Sequence, residues 1–492
     1  MMQRIFHLDF NFLMLTKEEI RRQLASIAAM GYNAILWELE DKVRFDTIAP
    51  CIHPEALSKE EFAEILAYSR SLGLEPIPLL QTLGHGEYVL GNEDFVPLRE
   101  LPEWKDCYCV SKPAVRNLLS QLIEEYLDLF GEIKSFHLGG DEAYSFAQCP
   151  VCSAKAEKMG KLGLAMEHYA ALTEPLIRAG IQPEMWMDIV VQHPDEVKEH
   201  MPLLKKFRFW DWHYSRGFAG RRQRDPESFA YWEENYNSDL VEEGYGTLDM
   251  LKNVGLRAIP CSASRCWNDC LFVPKTHHPE NVAATARAAY KRGLDGYCTT
   301  SWAVRAVNFD LQKHSIALGP IAEQTETEDI SELLALTGMF GGSREKIAFF
   351  LRGTNLLATE FPFSTVHELG VGWNRYKSHD LPPDGWLAER MKGKTIDPCV
   401  RERLDEAEQI FLSLKADEPE EMTHWLEAVA LEKEHLALVE KALAGEWADA
   451  ETLRKKARSA FLRWQSGISA ETLSRTLYSP LIDFFSAIKA ES

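Results

Sequence analysis

Two adjacent carboxylates, Asp141 and Glu142, stand directly after Gly139-Gly140 at the end of the segment Ser135-Phe136-His137-Leu138. Like charges held close together in a closed site push one carboxyl pKa upward, and a raised carboxyl is what a general acid needs near neutral pH. In a polar turn such a pair would be only a solvated surface feature. Here it follows an apolar stretch whose Phe136 and Leu138 suit a strand, and two glycines that permit a tight turn or the close approach of a ligand. Other residues able to do chemistry recur just past apolar runs: Asp9, Glu40, Asp41, His85, Glu87, Trp186, Asp188, Trp210, Asp211, Tyr214 and Trp302. Carboxylates accept hydrogen bonds from hydroxyls, and aromatic faces pack on the apolar face of a pyranose, so this set suits a sugar pocket.

The elements that must position these residues alternate regularly. Strand patterns fall at Arg4–Phe10, Asn33–Leu39, Leu74–Leu80, Ser135–Leu138, Pro183–Met187, Lys206–Phe209, Leu256–Pro260 and Gly296–Thr299. Helical patterns lie between them. The first is capped by Thr16 with Glu19 and stopped by Gly31; the next is capped by Ser58 with Glu61 and stopped by Gly73. Further helical patterns fall near Lys112–Leu129, Leu164–Ala179, Asp239–Asn253 and Pro279–Arg292. Eight βα units predict a parallel sheet closed into a (β/α)8 TIM barrel, an α/β fold whose active site is built at the C-terminal ends of the strands. After Pro320 the strand patterns stop and helix formers dominate, with Leu404, Phe411 and Leu414 on one face and Leu426, Val429, Leu436 and Leu443 on another. The reading is a catalytic barrel over 1–320 followed by a mainly α-helical C-terminal domain over 321–492. Within that domain Phe361–Trp386, rich in Gly, Pro and aromatics, reads as a long loop. The helical domain has the surface to pack on the barrel or on a second copy of the chain, as a homodimer.

The 492 residues carry 54 Lys and Arg against 75 Asp and Glu, a formal charge of −21. That balance argues against nucleic acid or an anionic membrane surface as a partner. No apolar run reaches the ~18 residues of a membrane span. The N-terminus enters a strand pattern without a signal-peptide core, and the ten cysteines are scattered, so a reducing cytoplasm is expected. One cysteine group is not scattered. Cys149-Pro150-Val151-Cys152 follows Glu142 closely, and Cys107 and Cys109 fall in the preceding strand-end loop, which a barrel makes adjacent. Two such pairs could hold a structural zinc through Cys107, Cys109, Cys149 and Cys152; free thiols and a disulfide are the alternatives.

His137-Leu138-Gly139-Gly140-Asp141-Glu142 resembles the signature of glycoside hydrolase family 20, the β-N-acetylhexosaminidases. Trp37-Glu38-Leu39-Glu40-Asp41, the run Pro76-Ile77-Pro78-Leu79-Leu80-Gln81-Thr82-Leu83-Gly84-His85, and Ser301-Trp302 extend the resemblance to its hexosaminidase D-like branch. Strand one begins almost at Met1, so the extra N-terminal domain of many relatives is not expected here. Asp9 and Asn11 stand where many relatives have an Arg.

The resemblance implies exo-acting hydrolysis of terminal β-linked GlcNAc or GalNAc from an amino-sugar glycoside or oligosaccharide, with retention and with no cofactor required for catalysis. The D-like branch inclines the expectation toward galactosaminides. It implies a substrate-assisted reaction, an exception to the two-carboxylate scheme. Glu142 is then the acid and base, and Asp141 orients the acetamido group and stabilises the oxazolinium. Tyr214 is the implied donor to the acetamido oxygen. Trp186, Trp210 and Trp302 wall its methyl group, His85 and His137 support the carboxylates, and Asp9, Glu40 and Asp211 complete the substrate-binding set. Two alternatives stay open on the residues alone: a (β/α)8 glycosidase with separated carboxylates such as Glu40 and Glu142, and a non-catalytic glycan-binding protein.

Overall fold

The computed structural model describes residues 2–446 apart from 12–13, 219, 222–244, 267–268, 303–307, 363, 365–391 and 445, and beyond these 452, 455, 456 and 459. Eight parallel strands close a barrel: β1 (Gln3–Asp9), β2 (Ala34–Glu38), β3 (Glu75–Leu79), β4 (Ser135–His137), β5 (Gln182–Trp186), β6 (Arg208–Trp212), β7 (Arg257–Arg265) and β8 (Gly296–Ser301). β1 pairs with β2, Ile5 beside Ala34, and with β8, Gln3 beside Gly296, so the sheet has no open edge. All eight expected strands form, and the (β/α)8 TIM barrel is the observed architecture.

Alternation along each strand sorts its side chains. In β2, Trp37 turns outward and packs edge-on against Phe62 with ring centroids 5.2 Å apart, while Glu38 turns inward and meets His7 of β1 at 2.9 Å. The covering helices bury Ile20, Leu24 and Ile27 from Lys17–Ala29, and Val115, Leu119, Leu122 and Ile123 from Pro113–Phe130, against the outer face of the sheet. The expected capping box at Ser58 and Glu61 is complete. At Thr16 only half of it forms: the hydroxyl accepts the Glu19 N–H at 3.3 Å, but the Glu19 carboxylate is drawn to Arg22 instead.

After the barrel the described chain is helical, with Ile330–Ala335, Arg344–Leu357, Cys399–Leu414 and Pro419–Leu443. Phe350, Phe411 and Trp425 form their common core, with Trp425 centroids 5.4 Å from Phe350 and 5.5 Å from Phe411. The helices are joined to the barrel, since the Phe272 N–H donates to Glu432 Oε1 at 3.3 Å and His314 packs on Trp425. The expected boundary at 320/321 falls inside a helix, Leu318–Ala322. Most of the expected loop Phe361–Trp386, the first part of the helix expected near Asp239–Asn253, and the residues after 459 lie outside the described residues. Among the described residues no helix is long and apolar enough to cross a membrane.

Candidate active site

β4 ends at His137, and the chain turns through Gly139 and Gly140, both with positive φ, at 65° and 96°. A Cβ on Gly139 would meet Gln81 Oε1 at 1.9 Å, and one on Gly140 would meet Tyr169 Oη at 2.3 Å. Only glycine supplies both the left-handed backbone and the missing volume. This turn delivers Asp141 and Glu142 to the C-terminal mouth of the barrel. His85, from the loop after β3, reaches both: its Nε2 lies 3.2 Å from Asp141 Oδ2 and 3.4 Å from Glu142 Oε2. Asp141 is 5% exposed, and its second oxygen, Oδ1, is buried with no hydrogen-bond partner among the described residues. A buried carboxylate oxygen left in this state is costly unless something outside the chain donates to it.

Three non-glycine residues of this mouth hold left-handed backbones: Glu40 at φ 45°, His85 at 52° and Glu142 at 43°. Such conformations are strained for residues with a Cβ and cluster where surrounding structure enforces a functional geometry. Each belongs to a different loop, after β2, β3 and β4.

Beneath the mouth the barrel is filled by a polar and aromatic network. Glu38 is gripped by His7 and by Gln81 Nε2, each at 2.9 Å. Burial pushes the Glu38 carboxyl up, but His7, then Gln81 and His85, outweigh it and hold the carboxyl below its ordinary value. Glu40 has the opposite fate. Burial drives its carboxyl well above the ordinary range, against the opposing charge of Lys42 and with help from Glu38, Asp41 and Asp9. His137 is buried and accepts the Gly139 N–H at Nδ1, 3.1 Å away. Burial, with His7 and Arg208, keeps its imidazole well below the ordinary range and so neutral. His137 packs between Trp186 and Trp210, with ring centroids at 4.6 and 4.8 Å. Trp302 faces Trp186 at 5.9 Å, and its indole N–H donates to Tyr214 Oη at 2.8 Å. Burial raises the Tyr214 phenol well above its ordinary value, so it keeps its proton. Asp9, 5% exposed at the end of β1, accepts the Asn11 N–H at 2.7 Å.

Asp211 is elsewhere. The alternation of β6 turns Trp210 inward and Asp211 outward, where Arg216 Nη1 at 2.8 Å and the Thr247 hydroxyl at 2.6 Å take up its carboxylate. The expectation that Asp211 faces a ligand is therefore corrected; it anchors the helix Gly246–Asn253. Cys107 is a second correction. Its thiol turns to the Tyr108 carbonyl oxygen at 3.5 Å, while the thiols of Cys109, Cys149 and Cys152 converge with the carboxylate of Glu100. Glu100 arrives because Arg99 bridges antiparallel to Tyr108, a pairing that short-range spacing does not reveal.

Sequence reasoning gave no site role to Gln81, Glu38, His7, Trp212 and Lys42. The first three were recoverable from inward alternation. Trp212 donates its indole N–H to Asp188 Oδ2 at 2.8 Å and stacks on Tyr214 at 5.5 Å. Lys42, 6% exposed, pairs with Asp41 and donates to the Asn11 carbonyl at 2.7 Å, which puts a cation beside Glu40.

Residues 3–216 match the family model described as glycosyl hydrolase family 20, catalytic domain. The chain is 29% identical over 192 residues to Hexosaminidase D of Bos taurus, covering 37% of this chain and 55% of that one. It is 26% identical over 216 residues to Hexosaminidase D of Homo sapiens, covering 42% of this chain and 44% of that one. The chain thus spans about half the length of the curated relatives it matches. Among solved structures it resembles in fold a chitobiase of Flavobacterium johnsoniae, with TM-score 0.52 and 16% identity over 99% of this chain and 78% of that one.

Proposed function

We propose that this chain, whose residues 3–216 match the catalytic-domain model of glycosyl hydrolase family 20, is an exo-acting β-N-acetylhexosaminidase working by substrate assistance with retention. The observation that carries the reading is the Asp141–His85–Glu142 cluster, with Asp141 Oδ1 buried and unpartnered. Adjacent carboxylates on one turn cannot flank a glycosidic bond from opposite faces, so the second group of an ordinary retaining pair must come from elsewhere. The substrate's own 2-acetamido oxygen supplies it.

In the first step Glu142 gives its proton to the glycosidic oxygen as the acetamido oxygen attacks the anomeric carbon. The aglycone leaves as the alcohol and a bicyclic oxazolinium remains. Asp141 Oδ1 accepts the acetamido N–H and complements the positive charge that develops there. The Tyr214 hydroxyl donates to the acetamido oxygen, and Trp186, Trp210 and Trp302 enclose the methyl group. In the second step Glu142, now a carboxylate, takes a proton from water. The water oxygen attacks the anomeric carbon from the face the aglycone left, which restores the β configuration and reopens the acetamide. The separated-carboxylate alternative needs an ionised nucleophile, and burial pushes the Glu40 carboxyl well above its ordinary range, which disfavours that form. The helices beyond Pro320 act, in this reading, as a buttress to the barrel through Glu432 and Trp425.

Paired 4-nitrophenyl β-GlcNAc and β-GalNAc substrates test the activity and rank the two sugars. A 2-fluoro sugar tests the mechanism: it should leave no covalent adduct, and an adduct on any Asp or Glu, found by mass spectrometry of digested protein, would sink the reading.

A further inference from the structure

We infer that Cys109, Cys149, Cys152 and Glu100 form a four-ligand site for a structural zinc ion that clamps the loop bearing Asp141 and Glu142 to the loop after β3. The first observation is the spacing of the sulfurs. Cys109 Sγ lies 3.7 Å from Cys149 Sγ and 3.7 Å from Cys152 Sγ, and the Glu100 carboxylate completes a group whose ligand atoms all lie within 4.8 Å of one another. A tetrahedral zinc with Zn–S bonds of ~2.3 Å sets a sulfur–sulfur edge of ~3.8 Å, whereas a disulfide requires ~2.0 Å.

The second observation is the carboxylate that faces the thiols. Glu100 is 2% exposed; its Oε1 accepts the Cys149 N–H at 2.9 Å, and its Oε2 is buried with no hydrogen-bond partner among the described residues. A buried carboxylate oxygen beside three thiols is stabilised by a cation. The third is the local fold around Cys149. This residue caps the helix Pro150–Met159, and its sulfur accepts the Cys152 N–H at 3.4 Å. Three thiolates and one carboxylate suit a borderline-soft divalent ion, and zinc accepts both ligand types. On binding, each thiol releases its proton to solvent and no electrons move.

The site is placed to hold the catalytic loop. Between Glu142 and Cys149, Ser145 is tied to Asp106 of the β3 loop through its N–H at 2.9 Å and its hydroxyl at 2.7 Å. A Cβ on Gly84 would meet the Asp141 carbonyl at 2.1 Å, so the two loops also touch at their roots. The metal would close the far end of this two-loop unit, whose near end carries His85, Asp141 and Glu142.

The test uses the full chain purified with a non-chelating reductant after expression with added zinc. Elemental analysis should find about one zinc per chain, and a chromogenic chelator should release it with a fall in melting temperature. Cys152→Ser should lose the metal, Glu100→Gln should release it to the chelator faster, and Cys107→Ala should keep it, because Cys107 is outside the set. Cobalt in place of zinc should give thiolate-to-cobalt absorption that Cys152→Ser abolishes. Wild-type protein with no more zinc than Cys152→Ser would overturn the proposal. So would a Cys109–Cys149 or Cys109–Cys152 disulfide in peptides of the metal-free protein. Metal content is read without turnover, so this outcome is separate from that of the glycosidase assay.

Discussion

Asp141→Asn isolates the electrostatic part of the reaction, because the amide keeps the shape and still bonds but carries no charge. In the wild-type protein Oδ2 faces His85 at 3.2 Å, and Oδ1, buried with no partner among the described residues on a side chain 7% exposed, is the atom the proposed reaction assigns to the acetamido N–H. A unit charge at ~4 Å from the oxazolinium, at an effective dielectric constant of ~20, interacts with ~4 kcal/mol. At ~1.36 kcal/mol per decade that is ~10³-fold in kcat. In the proposed reaction the charge exists only after the acetamido oxygen has attacked, so the loss belongs in kcat with KM little changed. The assay is steady-state hydrolysis of the paired nitrophenyl glycosides, with binding of a thiazoline mimic measured alongside by calorimetry. The variant should lose thiazoline affinity in step with kcat. A kcat loss below ~10-fold, or a loss confined to KM, would refute the assignment of Asp141 to oxazolinium stabilisation.

Glu142→Gln should lose ~10²–10⁴-fold on glycosides with poor leaving groups, and much less on activated aryl glycosides that need no proton; equal small losses on both would remove Glu142 from the acid role. Gly139→Ala adds a Cβ 1.9 Å from Gln81 Oε1 at a φ of 65°. Left-handed strain alone costs ~1–2 kcal/mol, and displacing Gln81 releases Glu38, so urea denaturation should show a loss of at least that size together with lowered kcat. Glu432 is buried at the junction of the helices with the barrel, and burial raises its pKa to about 8, against the Phe272 N–H and Arg265. A carboxyl raised on folding contributes stability that is fully present below its unfolded pKa of ~4.5 and is lost as pH rises through the folded value. Glu432→Gln should therefore melt higher than wild type at pH 8 and flatten the decline from pH 5 to 8; a lower melting temperature at pH 8 would contradict this.

Features written in local pattern could be read from the residues alone. Eight apolar strands alternating with capped amphipathic helices have no other economical closure than a parallel barrel, and the ends of those strands named the mouth. Gly139-Gly140-Asp141-Glu142 was legible because its backbone requirement and its chemistry lie in consecutive residues. Whatever depends on direction or on a distant partner emerges only in the folded barrel. Asp211 follows Trp210 at once, yet the pleat turns it away from the barrel into the hands of Arg216 and Thr247. The same alternation brings His7 and Glu38 together from strands 31 residues apart. Glu100 displaces Cys107 from the thiol cluster because a bridge between Arg99 and Tyr108 folds the loop back on itself. Glu40, His85 and Glu142 are forced left-handed only by the closed rim around them, a strain that residue types do not announce. Local pattern fixes which elements form because each is stabilised within a few turns of chain. Which side chains meet is set by pleat, register and loop closure, which require the whole barrel.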